Sequence, residues 1–326
     1  MDQQPPITKS LHRLCVENGR FHVHPLFWTS KHLQVLHCHF NHVDSSSLAL
    51  TLPPSPPLSP SSDAEREDLV RLVPRITHGQ FASGRSACFS VMMRARGIIN
   101  TERRPHLFYN KLRLHTPECN VFRFSDVYNF EVRPILGHFR YDEVVRKREL
   151  AIKPRRHPVP GSSNLPAERL YERRLRDLTP ALWFEDPYLV CVLLSLAQLR
   201  WQKQKSITES IVVRLLVTST SDTTYAHVFQ ADIPPKLLRA LDNPTEDMDS
   251  LVWPAIQHIQ VPFEPHASFS ERVVRQLLAG LKTRASEETP RGEKRKRDEM
   301  DVEEETKSVK AWDGAVQVAS MPLANG

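Results

Sequence analysis

The chain has 326 residues, 40 % of them apolar and 25 % charged, with 26 Pro, only 10 Gly and a net charge of +6 at pH 7. Such a length carries one large domain or two ordinary ones, and such a composition excludes a collagen-like or wholly disordered chain. Five scattered cysteines without a CxxC pair argue against a disulfide framework, and no apolar run reaches the ~20 residues of a membrane span, so the expectation is an intracellular chain with no membrane partner.

Residues 1–50 form a His-rich N-terminal segment holding seven of the chain's 15 histidines. In RFHVHPLFW and LQVLHCHFNHV the alternation of polar and apolar residues predicts two short strands. On such strands His22 and His24 share one face, as do His37 and His39, and the four imidazoles suit a tetrahedral zinc. Their spacing matches no finger or hydrolase pattern, so the plainer expectation is a half-exposed sheet surface with no cofactor. Residues 51–66, which contain TLPPSPPLSPSS, read as a Pro/Ser linker unable to bury enough apolar surface to offset its ordering entropy.

Residues 67–283 are predicted to be an α+β domain. KLRLHTPECNVFRFSDVYNFEV has strand alternation, YDEVVRKRELAI reads as a short helix, and KPRRHPVPGSSNLP at 153–166 reads as an exposed connection. Between Arg133 and Asp177 there are 12 Lys/Arg against 6 Asp/Glu. The clusters Arg146, Lys147, Arg148 and Lys153, Arg155, Arg156 suit an anionic partner, nucleic acid included, with Tyr141 and Tyr171 nearby for stacking. Against this, YERRLRDL carries its own acids at helical spacing, as an ordinary solvated helix does.

The strongest module spans 180–283. In FEDPYLVCVLLSLAQLRWQKQK, Asp186 is a natural N-cap and Pro187 a natural first helical residue, and the helix is apolar almost all round, which predicts a place at the centre of a core. SIVVRLLVT and YAHVFQAD suggest a hairpin, PPKLLRALD a short helix, and AIQHIQVPF a strand. SFSERVVRQLLAGLK suggests a helix opened by a Ser268–Glu271 capping box and closed near Gly280. The order helix, strand, strand, short helix, strand, helix is that of an α+β fold with a buried helix, a hairpin, a further strand and flanking helices. Over WFEDPYLVCVLLSLAQLRW and RLLVTSTSDTTYAHVFQADIPPKLLRALDNPT the chain resembles an uncharacterised family of proteins from filamentous ascomycete fungi. That resemblance covers about a third of the chain. It implies a shared α+β module and a fungal source, and brings no activity, cofactor or catalytic residue with it.

Signals for acid/base chemistry are thin. Capping accounts for Asp186 beside Glu185, and Asp222 sits where a turn wants an Asp. Asp232 and Lys236 resemble the carboxylate and lysine of a restriction-type nuclease core, but that core wants them two apart on one strand, and Pro234 and Pro235 intervene. No glycine-rich phosphate loop, nucleophile elbow or HExxH occurs.

The charged stretch 284–326 reads as a disordered tail. Within EKRKRDEMD, the tetrad Lys294, Arg295, Lys296 and Arg297 follows Pro290 and Gly292 and fits the acidic groove of an import receptor. The acids that follow would repel nucleic acid. The sequence therefore predicts a non-enzymatic nuclear protein, an interaction or regulatory module that meets an import receptor and a nuclear protein; with a silent tetrad it stays in the cytoplasm. The competing expectation is an enzyme whose site no motif reveals, with a metal-dependent hydrolase or nuclease foremost.

Overall fold

Asp186 and Pro187 do start the helix on which the fold is organised, and the computed structural model places that helix against the middle of a mixed sheet. The structure describes residues 6–19, 21–44, 63–79, 82–155, 157, 159, 162–249 and 251–282. The Pro/Ser stretch, Arg156 and the tetrad Lys294–Arg297 lie outside them. All the described residues fall within one compact unit, Met1–Arg284.

The N-terminal part runs α1 (Leu11–Glu17), α2 (Ser30–Val35), β1 (Phe40–Val43), α3 (Asp63–His78) and α4 (Ala82–Arg94). Next come β2 (Ile98–Thr101), the hairpin β3 (Leu107–Tyr109) and β4 (Leu112–His115), β5 (Cys119–Phe124), β6 (Ile135–Arg140), α5 (Asp142–Ile152) and α6 (Leu165–Leu178). The last part is α7 (Pro187–Trp201), β7 (Ile211–Ser219), β8 (Asp222–Ile233), α8 (Pro235–Asp242), β9 (Ile256–Pro262) and α9 (His266–Leu278). The order predicted for 180–283 is thus the order present, and the chain is α+β.

Seven strands form one sheet in the order β1-β9-β8-β7-β6-β5-β2. β1 pairs parallel with β9 and β6 parallel with β7, while the other neighbours are antiparallel. Alternation along β7 explains its central place: Val213, Leu215 and Val217 face the core around α7, and Leu216 faces a second core built with Val273 and Leu277 of α9. α7 carries no polar stripe to give to water, and Pro187 to Gln198 are all buried.

The N-terminal segment departs from expectation. Only 40–43 is a strand; the stretch predicted as the other strand breaks at Pro25, which opens a single 3-10 turn capped by His24, whose Nδ1 accepts from the Leu26 N–H at 3.3 Å. A local cap and a proline outweigh the alternation of three residues. The segment belongs to the main core: Ile7 bridges to Leu251, and Leu11, Leu14 and Leu36 are buried. The predicted linker also ends early, since 63–66 already lie in α3. α9 begins at His266, ahead of Ser268, so the expected capping box is absent. Ser268 Oγ instead donates back to the Pro265 carbonyl and Glu271 pairs with Arg275. Gly280, at φ +73°, closes that helix in the left-handed conformation glycine favours.

Gly137 of β6 lies opposite Val121 and Leu215 in the neighbouring strands. A Cβ there would meet Leu196 Cδ1 at 2.6 Å and Cys119 Sγ at 2.8 Å. Gly137→Ala is expected to destabilise by about 1–3 kcal/mol through overpacking, read from the urea midpoint at unchanged m.

Candidate functional site

Two groups of buried polar side chains meet where β6, β7, β9 and β1 end and α7 begins. That is the end of a sheet at which loops can bring side chains from several strands together. Four consecutive residues, Trp183 to Asp186, organise both groups.

Asp186 is fully buried, and its carboxylate caps α7 by accepting the Tyr188 N–H at 2.8 Å. It does more than cap. Arg148 of α5, 2 % exposed, forks onto both its oxygens, one at 2.8 Å, and the Tyr141 hydroxyl donates to Oδ2 at 2.7 Å. Arg148 Nε also donates to the Leu26 carbonyl at 2.7 Å. Burial alone would lower the Arg148 pKa, but the Asp186 carboxylate outweighs it and holds the guanidinium charged. Burial and the adjacent carboxylate push the Tyr141 phenol up, so it stays a donor.

Beside this clasp three imidazoles form a hydrogen-bonded chain between two carboxylates. Glu185 Oε1 lies 2.7 Å from His42 Nε2, and His42 Nδ1 lies 2.7 Å from His258 Nδ1. His258 Nε2 lies 2.8 Å from His227 Nδ1, and His227 Nε2 lies 2.8 Å from Asp222 Oδ2. The pleat explains the alignment. His42 and His258 are register partners on β1 and β9, and His227 of β8 is the partner of Gln260, two residues along the same face of β9. Aromatic rings fix the imidazole planes: Phe184 stacks on His258 at 4.7 Å and 12°, Phe229 covers it at 4.9 Å, and Trp183 meets His227 edge-on at 4.4 Å.

Counting protons defines what this chain can do. A neutral imidazole supplies one N–H and one lone pair, and an ionised carboxylate only accepts. Four contacts need four protons, and three neutral rings hold three. All four bonds therefore exist together only when the chain carries one proton more. Burial, reinforced by His227 and His42, pushes His258 down to about 3; burial also lowers His227, with Asp222 acting the other way. The end of the chain nearest solvent is at His42, whose side chain is 43 % exposed beside Glu185 at 40 %. One proton arrangement that closes all four bonds has both His42 nitrogens donating, His258 donating from Nε2 to His227, and His227 donating from Nε2 to Asp222. Successive hops would carry the charge from the Glu185 end to the Asp222 end without moving a heavy atom. Every ring nitrogen is engaged inside the chain, so the arrangement braces β1, β9, β8 and the turn before α7 against one another.

A separate open groove of about 900 Å³ lies over β5, between the segment that follows β2 and the C-terminal end of α7. Arg103, Arg123, Arg133, Arg200 and Lys203 line it, interspersed with Glu102, Asp126 and Glu131. Arg133 pairs with Asp126 at 2.9 Å, and Arg200 donates to the Arg133 carbonyl at 2.9 Å.

The residues singled out by sequence are dispersed. His24 packs edge-on against His115 at 4.7 Å, His22 lies 6.3 Å from the Tyr109 ring, His37 sits in a left-handed turn at φ 49°, and the His39 carbonyl accepts from Ile256. Among the described residues no group of three or more His, Cys, Asp or Glu side chains is placed to hold a metal ion. In the expected basic belt Arg148 points inward, because it falls one helical turn after buried Val144. Arg146 pairs with Glu143 and Lys147 with Glu118, each at 2.8 Å, while Lys153 and Arg155 stand after α5. Asp232 pairs with Arg214 at 3.3 Å, and Lys236 donates to the Asp249 carbonyl at 2.6 Å, so the two have separate partners.

His42, His227 and His258 escaped the sequence reading. The usable signal was a histidine within an apolar strand, in YAHVFQAD and AIQHIQVPF. No helix among the described residues is long and apolar enough to cross a membrane. No family model, curated protein or solved structure matches the chain.

Asp186→Ala leaves the Arg148 charge buried and unpaired and is expected to cost about 3–5 kcal/mol, measured by urea unfolding at neutral pH. Acid should weaken the fold through the buried imidazoles. Folded, His258 and His138 are held at about 3 and His115 at about 4. Unfolded, each titrates near 6.5, so the unfolded chain gains protons first as pH falls. Their contribution is complete above about pH 6.5 and is lost toward about pH 3–4, by up to about 1.4 kcal/mol per pH unit for each ring. His258→Phe should lower stability at neutral pH yet flatten this acid limb by close to one proton, in unfolding curves taken across that range.

Proposed function

We propose that the chain is a non-enzymatic nuclear interaction protein whose basic groove receives an extended, acidic segment of a protein partner. The observation that carries this reading is the group of cations, Arg103, Arg123, Arg133, Arg200 and Lys203, that line the groove over β5. A peptide laid there crosses the end of the sheet over β5, with its acidic side chains meeting the cations that line the groove. Glu102, Asp126 and Glu131 interrupt the cations. They disfavour a continuous phosphate backbone more than a polypeptide, whose charges are spaced and mixed. The tetrad Lys294–Arg297 supports the nuclear half of the proposal and makes an import receptor the first partner. The hydrolase alternative would need the N-terminal histidines on one ion, and no observation favours it.

The binding half is tested by fluorescence anisotropy with a labelled Glu/Asp-rich peptide and, in parallel, a labelled oligonucleotide. The peptide should bind more tightly, and Arg103→Glu with Arg123→Glu should weaken it at least about tenfold at about 0.1 M salt. Tighter oligonucleotide binding, or an unchanged peptide affinity, would overturn the partner class. For the address, a fluorescent fusion should accumulate in nuclei and lose that accumulation when 294–297 become alanine. Uniform signal from both forms would remove it.

A further inference from the structure

Arg103 lines the groove, and the next residue, Arg104, lines a different recess, an open one of about 470 Å³ beside the β3–β4 hairpin. Arg113, His106, His115 and Thr116 line it too, and Leu114 is its apolar member. Strand pairing brings these residues together. Arg113 of β4 is the register partner of Phe108 on β3, and His106, two residues before Phe108, meets that ring edge-on at 6.0 Å. Thr116 Oγ1 lies 2.8 Å from His106 Nδ1 and fixes the imidazole. The hairpin is fixed in turn over α7 by Gln198, whose amide exchanges two hydrogen bonds with the Phe108 backbone at 2.8 and 3.0 Å.

Charge sets this recess apart from the groove. Glu102, Asp126 and Glu131 stand among the cations of the groove, whereas among the described residues no Asp or Glu lines the recess. Neither Arg104 nor Arg113 has a carboxylate partner among those residues, and Glu118, just beyond β4, pairs with Lys147 at 2.8 Å instead. The excess of positive charge is felt inside the recess: after burial, Arg113 and Arg104 are what hold His106 below its ordinary pKa. Guanidinium forks match the oxygens of a carboxylate or a phosphate. Of the two, a phosphate monoester concentrates more charge, about −1.5 to −2 at pH 7 over three oxygens. The acids of the groove favour a ligand whose charges are single and spaced, and the recess favours a concentrated one. Arg103 and Arg104 have Cα atoms about 3.8 Å apart, so a segment lying along Arg103 reaches the recess by continuing past it.

Resting on the reading of the groove as the seat of an acidic protein segment, we propose that this segment carries a phosphorylated serine or threonine whose phosphoryl group is held by Arg104 and Arg113. The groove then selects the acidic stretch, and the recess selects its phosphorylated form.

The test uses the full chain and a labelled Glu/Asp-rich peptide, either unphosphorylated or with one phosphoserine near its N-terminal or its C-terminal end. At least one phosphorylated form should bind at least about tenfold tighter than the unphosphorylated peptide. Arg104→Gln with Arg113→Gln should remove that gain and leave the unphosphorylated peptide within about twofold of its former affinity. Both arginines are exposed, so the unfolding temperature should stay where it was. The NMR signals of the His106 ring should move with the phosphorylated peptide. No gain from either phosphoserine, a gain that survives the double substitution, or a silent His106 would overturn the inference and leave the reading of the groove standing. A gain that Arg104→Gln with Arg113→Gln removes, in peptides whose affinity Arg103→Glu with Arg123→Glu leaves unchanged, would keep the phosphoryl site and overturn the groove. Inorganic phosphate binding as tightly as the phosphorylated peptide would make the ligand free phosphate and overturn the peptide as its source.

Discussion

Everything around the junction of sheet and central helix hangs on the ion pair between Arg148 and Asp186. Both are buried, and Asp186 has donors from two guanidinium nitrogens, a phenol and a backbone N–H. Replacing such a pair by apolar residues is often neutral, whereas removing one partner is costly, so its value lies in geometry more than in net stability. Through Arg148 it ties the Leu26 carbonyl of the N-terminal segment and α5 to the first turn of α7. That single fixed point sets the turn Trp183–Glu185, and hence the aromatic rings and the carboxylate that hold His258, His227 and His42.

Such a junction was only partly legible from the chain itself. The ends of α7 could be read because an Asp-Pro start is a local event and an all-apolar helix has one place to go. The same reasoning located the hairpin and α8. It failed at 21–28, where His22 and His24 alternate like strand residues but Pro25 and the His24 cap decide the backbone. Asp186 and Asp222 were recognised as cap and turn former, roles they do fill, and those roles hid the partners brought by tertiary structure. The relay was out of reach for a different reason. His42 and His258 are 216 residues apart, and only strand register makes them neighbours.

The molecule presents concavities of opposite chemistry and one polar chain with no open nitrogen. Arginines and carboxylates line the groove, whereas a smaller concavity between the N-terminal segment and α7 is lined mainly by apolar side chains with His22, His24 and His32 among them. The histidine chain serves neither directly. With every ring nitrogen partnered it acts as a cross-brace, and its cost appears in acid, where burial opposes charging His258 and His227.

The pairing of β1 with β9 has a consequence for how the chain is made. Among the described residues these are the first and last strands in chain order, and they are neighbours in the sheet. A polypeptide emerging N-terminus first can begin the β5–β6 and β7–β8 pairings while it is being made. Phe40–Val43 must wait until 256–262 have left the ribosome before that ladder can close. Translation alone therefore sets an earliest moment for the finished edge of the sheet, and the brace between His42 and His258 is among the last features the nascent chain acquires.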